Sequence, residues 1–292
     1  MNSENFQFLF CIKCNATLDL EILDESSEIN EGLLYCKKCK LKFPIISKIP
    51  LMLENLPQFL QNRPSLGGFL LKSAVTQSMK QFIKQNMSKI KKNKNDFFLT
   101  ETRWTDIYLT NKNSSFYKTI KSHLIKIPPK SLVIEYGSSI GIISNILGKK
   151  HGHVFGIDTS FSALLEAKKK SPKNCEYILS DVLQHPFGKK KFDLIIALNL
   201  FELVEPISLL NTLSSQIQNG LVFLSDPYDY DRGKNSVKHP LHANQIRKEL
   251  IQKNFFITKS TKTPSNIIWD LKINERTNLV YKVDIISARK NS

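Results

Sequence analysis

The chain has 292 residues, 41% of them hydrophobic, and carries 42 basic and 26 acidic side chains for a formal net charge of +16. That apolar fraction supports a packed core, so global disorder is excluded. No apolar run is long enough to cross a bilayer, and the first ten residues lack the basic start and small-residue cleavage site of a signal peptide. We therefore expect a cytoplasmic protein with no transmembrane segment.

The positive charge is concentrated in the middle of the chain. Residues 61–130 hold 14 basic and 3 acidic side chains, a local net charge of +11, whereas residues 1–60 sum to −2. Such a field attracts nucleic acid, anionic lipid or an acidic protein. Lysines on a solvated helix face have the same composition, so both interpretations stay open at this point.

Four of the five cysteines form two Cys-x-x-Cys pairs, Cys11 with Cys14 and Cys36 with Cys39, separated by 21 residues. In a reducing compartment such pairs favour a metal over disulfides. Two knuckles of this kind place four thiolates around one tetrahedral ion, and four protein ligands leave no open position for catalysis. The spacing predicts a structural zinc site.

The residues after the second pair continue the pattern of a known module. Cys36-Lys-Lys-Cys39 is followed by Phe43-Pro44-Ile45 and then by Ile49-Pro50-Leu51. This segment resembles the small zinc-ribbon proteins that bind and activate tRNA and protein methyltransferases. The resemblance covers residues 1–55 and implies a zinc-ribbon domain that packs in cis on a methyltransferase domain.

Residues 56–127 show helical periodicity and form a predicted basic helical linker or cap. Apolar residues recur at helical spacing from Leu71 to Ile90 with lysines between them. A second helical stretch is predicted from Trp104 to Lys126, where Pro128 stops it.

From Ser131 onward, short β-branched runs alternate with helical patterns. This alternation is typical of βαβ units around a parallel sheet, so we predict an α/β fold. The predicted strands are Leu132–Glu135, Val154–Asp158, Cys175–Asp181, Phe192–Leu198 and Leu221–Ser225.

The first of these strands runs into an acidic residue and a Gly-x-x-x-Gly turn, Glu135-Tyr136-Gly137-Ser138-Ser139-Ile140-Gly141. Glycines at such a turn let the backbone approach a ligand closely. A dinucleotide site prefers Gly-x-Gly-x-x-Gly, which seats a pyrophosphate on the helix N-terminus. The wider glycine spacing therefore favours a nucleoside without a pyrophosphate.

Polar residues end the next three predicted strands. Asp158 is suited to both ribose hydroxyls, Asp181 to an adenine amino group, and Asn199 lies where a methyl donor would sit. Because ligands bind at the carboxyl ends of parallel strands, we expect these side chains to converge on one crevice.

These residues make the second half of the chain recognisable. Residues 131–292 resemble a class I, Rossmann-like methyltransferase, which implies a seven-stranded, mostly parallel sheet with the last strand antiparallel. The resemblance places an S-adenosylmethionine domain at residues 128–292, with Glu135 and Gly137 by the methionine moiety. The implied cofactor-binding set is Glu135, Gly137, Ser138, Gly141, Asp158, Asp181 and Asn199.

The methyl acceptor is inferred from the loop after the fifth strand, Ser225 to Asp231. It is acidic and aromatic in a basic protein, which suits a cationic or imidazole-bearing acceptor; a proline-fixed surface loop is the alternative. Asn199-Leu-Phe-Glu, Asp226-Pro227-Tyr228 and the segment from Ile268 to Lys290 are similar to methyltransferases that act on histidine-type imidazoles. Predicted catalytic residues are Asn199, Asp226 and Tyr228, and the predicted acceptor pocket adds Asp229 and Tyr230.

Three functions remain open. The favoured one is S-adenosylmethionine-dependent N-methylation of a small molecule or a protein side chain. An RNA methyltransferase acting on tRNA or rRNA is supported by the ribbon and by the basic residues 61–130. A non-catalytic scaffold with a methyltransferase fold is the third, and the intact set of predicted cofactor residues argues against it.

Overall fold

The structure is a computed structural model that describes residues 1–91, 95–231 and 237–291. The packing of these residues divides the chain into two compact units. The first comprises Met1–Asp106, Ser139–Gly141 and Ile157–Lys190, and the second comprises Ile107–Ser138, Ile142–Gly156 and Lys191–Ser292.

The first unit begins with a small antiparallel sheet, which we call the ribbon (residues 1–55). Among the described residues it has four strands in sequential order: β1 (Asp19–Glu25), β2 (Ile29–Tyr35), β3 (Lys42–Ile46) and β4 (Ile49–Pro50). Each Cys-x-x-Cys pair lies in the turn before a strand, and the residue after each pair, Asn15 or Lys40, has a positive φ. These turns fold both cysteine pairs toward the same point.

The ribbon joins the edge of a strand from the second half of the chain, Cys175–Leu179, within this same unit. Leu51 pairs in parallel with Leu179, and the Met52 N–H donates to the Leu179 carbonyl at 2.8 Å. Next to this junction, the buried Lys168 ammonium lies 2.5 Å from Glu28 and 3.2 Å from Glu176. Removal of Lys168 would leave the buried Glu176 carboxylate without its ion-pair partner, so this triad helps to fix the ribbon in place.

Helices follow the ribbon. Their bounds are α1 (Leu56–Gln61), α2 (Pro64–Ser73), α3 (Gln77–Met87), α4 (Phe97–Thr110) and α5 (Ser115–Leu124). The predicted helical character of this segment is confirmed, but its continuity from Leu71 to Ile90 is wrong. The chain breaks between α2 and α3 because the fully buried Glu31 carboxylate of β2 accepts the N–H groups of Val75 and Thr76 and the Thr76 hydroxyl.

The second predicted helix, Trp104 to Lys126, is also two helices. The break between α4 and α5 centres on Asn111, whose side chain pairs with the backbone of Lys272. Its amide donates to the Lys272 carbonyl at 3.0 Å and accepts the Lys272 N–H at 2.9 Å. A side chain that pairs with a strand backbone in this way competes with continued helix formation.

The second half of the chain alternates strands and helices as predicted. The strands are β5 (Leu132–Tyr136), β6 (His153–Asp158), β7 (Cys175–Leu179), β8 (Phe192–Leu198), β9 (Ile217–Asp226), β10 (Phe255–Ile257), β11 (Ile267–Asn274) and β12 (Thr277–Lys290). The helices are α6 (Ser144–Leu147), α7 (Phe161–Lys169), α8 (Pro206–Ser215) and α9 (Ala243–Gln252).

Over the described residues these strands form an eight-stranded sheet in the order β10-β12-β9-β8-β5-β6-β7, with β11 paired to β12. The pairs of β5 with β8 and β8 with β9 are parallel, whereas β12 is antiparallel to its neighbours. The predicted α/β class and the antiparallel last strand are therefore confirmed. The eighth strand arises because the long β12 continues past β9 and forms a hairpin with β11.

No helix within the described ranges is both long and apolar enough to cross a membrane.

Candidate active site

The turn after β5 has alternating left-handed residues. Gly137, Ser139 and Gly141 have φ values of 71°, 46° and 70°. A Cβ on Gly137 would lie 2.7 Å from the Leu200 side chain, and one on Gly141 would overlap the Tyr177 hydroxyl. Ser139 therefore has the left-handed backbone conformation that usually favours glycine, which the sequence analysis did not predict. Its position midway between Gly137 and Gly141 could have indicated this conformation.

Ser138 lies inside this turn and is 3% exposed. Its hydroxyl is buried and has no hydrogen-bond partner within the described part of the chain. Buried hydroxyls in native proteins are normally paired, so this one fits a site that a polar ligand completes.

Glu135, at the end of β5, organises the helix after the turn. Its Oε2 accepts the Ser144 N–H at 2.8 Å and also the Ser144 hydroxyl. Ser144 is the first residue of α6, so the carboxylate satisfies an N–H that the short helix leaves open. In this structure Glu135 holds the glycine turn in place.

Asp158, at the end of β6, ties two loops together. Oδ2 accepts the N–H of Ser139 and Oδ1 accepts that of Ser160, both at 2.8 Å. Burial raises the pKa of Asp158, and these backbone donors oppose the rise. A carboxylate has about four lone-pair directions, so each oxygen retains acceptor capacity for a ribose hydroxyl.

Asp181 follows β7 and is exposed. Its Oδ1 accepts the Leu183 N–H at 2.7 Å and so caps a short 3-10 turn, Val182–Gln184. The cap fixes the side chain at the strand end, with acceptor capacity toward a groove that Thr159 and Gln184 also line.

Asn199, at the end of β8, is fixed against the neighbouring strand β9. Its N–H donates to the Ser225 carbonyl at 2.7 Å, its Oδ1 accepts from the Ser225 hydroxyl at 3.2 Å, and its φ is 56°. Both contacts hold the side chain at the carboxyl end of the two parallel strands.

Asp226 lies deeper than the sequence reading expected. It is 0% exposed, and its two oxygens accept the N–H groups of Phe201 and Tyr228 at 2.8 and 2.7 Å. Burial, together with the nearby charge of Glu202, raises the pKa of Asp226 to about 8. The carboxyl group therefore shapes the loops after β8 and β9, and it does not lie on an exposed pocket wall.

This buried carboxyl group predicts a pH dependence. Since folding raises the pKa of Asp226 from 3.8 to about 8, the folded protein keeps a proton that the unfolded chain releases. Stability should fall as the pH rises from about 4 to 8, by up to about 1.4 kcal/mol per pH unit from this group. Urea unfolding at several pH values should show a flatter profile for Asp226→Asn than for the wild type. Equal slopes in Asp226→Asn and the wild type would contradict the assignment.

Tyr228 connects this loop to a buried ion pair. Its hydroxyl donates to Asp284 at 3.0 Å, and Arg247 binds the same carboxylate through two nitrogens at 2.6 and 3.0 Å. Burial and the charge of Asp284 raise the pKa of Tyr228, so its phenol stays protonated. The ring is half-exposed, unlike the carboxyl group of Asp226.

Aromatic rings surround Tyr228 on the same loop. Tyr230 and His242 meet edge to face with ring centroids 5.6 Å apart, and the rings of Tyr228 and His242 are 6.2 Å apart. The Tyr230 hydroxyl donates to the Leu241 carbonyl. Asp229 lies between the two tyrosines and is half-exposed.

The four ribbon cysteines come together as predicted. The sulfurs of Cys11, Cys14, Cys36 and Cys39 all lie within 4.8 Å of one another, and those of Cys14 and Cys36 are 3.6 Å apart. A tetrahedral zinc ion with bonds of about 2.3 Å separates its sulfur ligands by about 3.8 Å. The cluster therefore has the donor set and the size that zinc requires.

Comparisons with known proteins agree with this geometry. Residues 134–220 match a family model described as a methyltransferase domain. No curated protein matches the chain in sequence. Among solved structures, the chain is similar to magnesium protoporphyrin IX methyltransferase from Synechocystis PCC 6803 with bound S-adenosylhomocysteine (TM-score 0.50, 18% identity, 66% of this chain and 96% of the other). It is also similar to a chain in the complex between the Haloferax volcanii Trm112 methyltransferase activator and a putative methyltransferase (TM-score 0.52, 12% identity, 67% and 96%).

The matched domain and the fold define the class: residues 134–220 match a methyltransferase domain, and the sheet has the class I fold of a methyltransferase structure that holds S-adenosylhomocysteine. The matched segment runs from the end of β5 through β8 into β9, and so contains the glycine turn and the strand ends that bear Asp158, Asp181 and Asn199.

Proposed function

We propose that this enzyme N-methylates a small molecule or a protein side chain of the imidazole type. The observation that carries the proposal is the aromatic cluster of the half-exposed Tyr228 and Tyr230 and the exposed His242. The cluster follows β9, and Ser225 of that strand donates a hydrogen bond to Asn199. Ring faces and a nearby carboxylate, Asp229, attract a cationic or electron-poor acceptor ring.

The proposed reaction requires little acid–base catalysis. Methyl transfer from a sulfonium is an in-line displacement, so positioning and exclusion of water supply most of the rate. In our proposal Asn199 orients the acceptor nitrogen, and Tyr228 presents a ring face to it. Asp226 acts on the acceptor only through the loop conformation that it stabilises.

We place the proposed cofactor contacts at residues that lie at or just after the carboxyl ends of the strands. Asp158 accepts hydrogen bonds from the ribose hydroxyls, Asp181 accepts one from the adenine amino group, and the glycine turn with Ser138 surrounds the methionine moiety. The buried hydroxyl of Ser138, which has no hydrogen-bond partner among the described residues, supports this arrangement, as does the lone-pair capacity of Asp158. Glu135 contributes by fixing the turn.

We further propose that the four ribbon cysteines bind one structural zinc ion. The sulfur separations support this role. The ribbon then does in cis what a separate activator does in the Haloferax volcanii complex.

An RNA acceptor is the second candidate, and a specific observation favours it. Lys72, Lys84, Lys89 and Lys91 are exposed on or beside α2 and α3, as a phosphate-binding surface requires. The predicted basic surface extends to Lys94, which with Lys92 lies outside the described residues.

The deciding experiment uses the full chain, cell extract and methyl-labelled S-adenosylmethionine. The imidazole proposal predicts label in the small-molecule or protein fraction, with 1- or 3-methylhistidine-type products after hydrolysis. Label recovered in RNA would replace it with the second candidate. Tyr228→Leu should lower the transfer rate at least tenfold with cofactor affinity unchanged, whereas Tyr35→Leu on the ribbon should not; transfer unaffected by Tyr228→Leu would contradict the acceptor site.

A further inference from the structure

A groove of about 650 Å³ opens in the first unit beside the proposed adenine contact. Its methyltransferase side consists of Thr159, which directly follows Asp158, together with Asp181 and Gln184. Its other side comes from the ribbon, which contributes Lys13, from α1, which contributes Phe59, and from Arg63 directly before α2. This volume is within the range of about 300–1,000 Å³ that is usual for small-molecule sites.

Phe59 is the aromatic ring of this groove, and its position is fixed. The guanidinium carbon of Arg63 lies 4.0 Å from the centroid of the Phe59 ring. Arg63 is in turn held by Glu101, whose Oε1 accepts from Nε at 2.8 Å and lies 2.6 Å from a terminal guanidinium nitrogen. A ring held in this way loses little conformational freedom when a second planar group stacks on it.

The metal-binding turns border the same groove. Lys13 stands between Cys11 and Cys14, and its ammonium pairs with Glu54 at 2.8 Å just before α1 begins. The side chain of Asn55 accepts the Gln58 N–H at 3.0 Å and so starts α1. The ribbon, the turn before α1 and the Phe59 ring are therefore linked by direct contacts.

From this arrangement we infer that α1 and the ribbon form the second wall of the nucleoside site, with the ring of Phe59 stacking on the adenine of S-adenosylmethionine. The inference rests on the proposed roles of Asp158 and Asp181. An adenine whose amino group reaches Asp181 lies in the groove that Phe59 lines, and stacking of a base on an aromatic side chain is sequence-tolerant and strong. The ribbon thus acts on cofactor binding as well as on folding.

The test measures binding and does not depend on the methyl acceptor. Calorimetry compares S-adenosylhomocysteine with 5′-methylthioadenosine, which keeps the adenosine and lacks the amino-acid group. Phe59→Leu keeps the apolar bulk and removes the ring, so Kd for both ligands should rise about tenfold and by the same factor. The matched control is Phe256→Leu on β10, where the ring is 65% exposed, and its Kd values should equal those of the wild type.

The outcomes separate the inference from the proposed function. If the wild type binds both ligands and Phe59→Leu binds them equally well, the inference is wrong. A loss confined to S-adenosylhomocysteine would also overturn it, because the ring would then act on the methionine end. A wild-type protein that binds neither ligand would instead overturn the proposed cofactor site.

A second variant keeps the test open should Phe59→Leu fold poorly. Phe59→Trp retains an aromatic ring at the same place, and a stacked adenine quenches indole fluorescence. Titration with S-adenosylhomocysteine should give saturable quenching beyond that of the wild type, whose own tryptophans serve as the baseline. Equal quenching in the two proteins would contradict stacking at Phe59.

Discussion

Asp158→Ala should weaken the binding of S-adenosylmethionine about 100-fold or more. The change would remove the two proposed charge-assisted hydrogen bonds to the ribose, each worth about 1.5–3 kcal/mol. It also leaves the N–H groups of Ser139 and Ser160 without their acceptors, which loosens the glycine turn. Calorimetry with S-adenosylhomocysteine gives the affinity, and urea unfolding without ligand gives the stability.

Two variants separate the binding effect from the folding effect. Asp158→Asn keeps one acceptor oxygen and the shape, so its loss of affinity should be smaller, about tenfold. Asp193→Ala is the matched control, because the Asp193 carboxylate also accepts two backbone N–H groups. These belong to Ser131 and Leu132, at 3.1 and 2.9 Å, and lie at the start of β5, away from the glycine turn. This substitution should cost about 1–3 kcal/mol of stability with unchanged affinity. Unchanged affinity in a folded Asp158→Ala protein would contradict the cofactor assignment.

Cys36→Ser should reduce the zinc content from one ion per chain to near zero. Cys36 is fully buried, and its sulfur lies 3.6 Å from that of Cys14 and accepts the Cys39 N–H at 3.3 Å. Structural zinc contributes about 10–16 kcal/mol of apparent binding energy in isolated zinc-finger peptides, so loss of one ligand should unfold the ribbon. Elemental analysis measures the metal, and limited proteolysis measures the order of residues 1–55.

Cys175→Ser is the matched control. Cys175 is equally buried, but it lies at the start of β7 and outside the cysteine cluster. Its zinc content should remain at one ion per chain. Wild-type protein prepared without chelators and found free of zinc would refute the metal assignment, and an equal loss in Cys175→Ser would assign the effect to general unfolding.

Together these two variants test whether the ribbon and the cofactor site are coupled. If the ribbon forms a wall of the nucleoside groove, Cys36→Ser should weaken S-adenosylhomocysteine binding even though every methyltransferase strand is intact. Asp158→Ala should leave the zinc content at the wild-type level. We expect this asymmetry because cofactor binding would depend on the groove wall that the ribbon forms. The proposed zinc site, in contrast, consists of four cysteines that all belong to the ribbon.

Much of the fold could be predicted from patterns that are local in the sequence. The predicted strand Phe192–Leu198 has the same bounds in the structure, because a parallel strand covered on both faces is a nearly continuous apolar run, here interrupted by Asp193 alone. The cysteine spacing predicted the cluster, since two Cys-x-x-Cys turns place their sulfurs in a known geometry. The sequence predicted that Asp158 and Asp181 lie at strand ends, and in the structure Asp158 ends β6 and Asp181 follows β7. Local sequence is enough for this prediction because the carboxyl ends of parallel strands meet at one edge of a sheet.

Other features were decided by contacts between residues far apart in the chain. Apolar periodicity from Leu71 to Ile90 describes one helix, yet the Glu31 carboxylate, 44 residues before Val75, breaks it by accepting backbone N–H groups. The burial of Asp226 likewise could not be predicted from the sequence. An aspartate at a strand end has the same local sequence whether its oxygens bind water or accept the N–H of Phe201.

The sequence by itself determined the class of this protein: a ribbon with four clustered cysteines, a methyltransferase domain and the strand ends that bear the proposed cofactor contacts. Only the tertiary structure showed that Phe59 of α1 and Arg63, which directly precedes α2, share a groove with Asp181. Local patterns record which residues are apolar, polar or turn-forming at short range. A groove wall depends on which distant segments pack together, and that is set by the sum of long-range burial and hydrogen bonding.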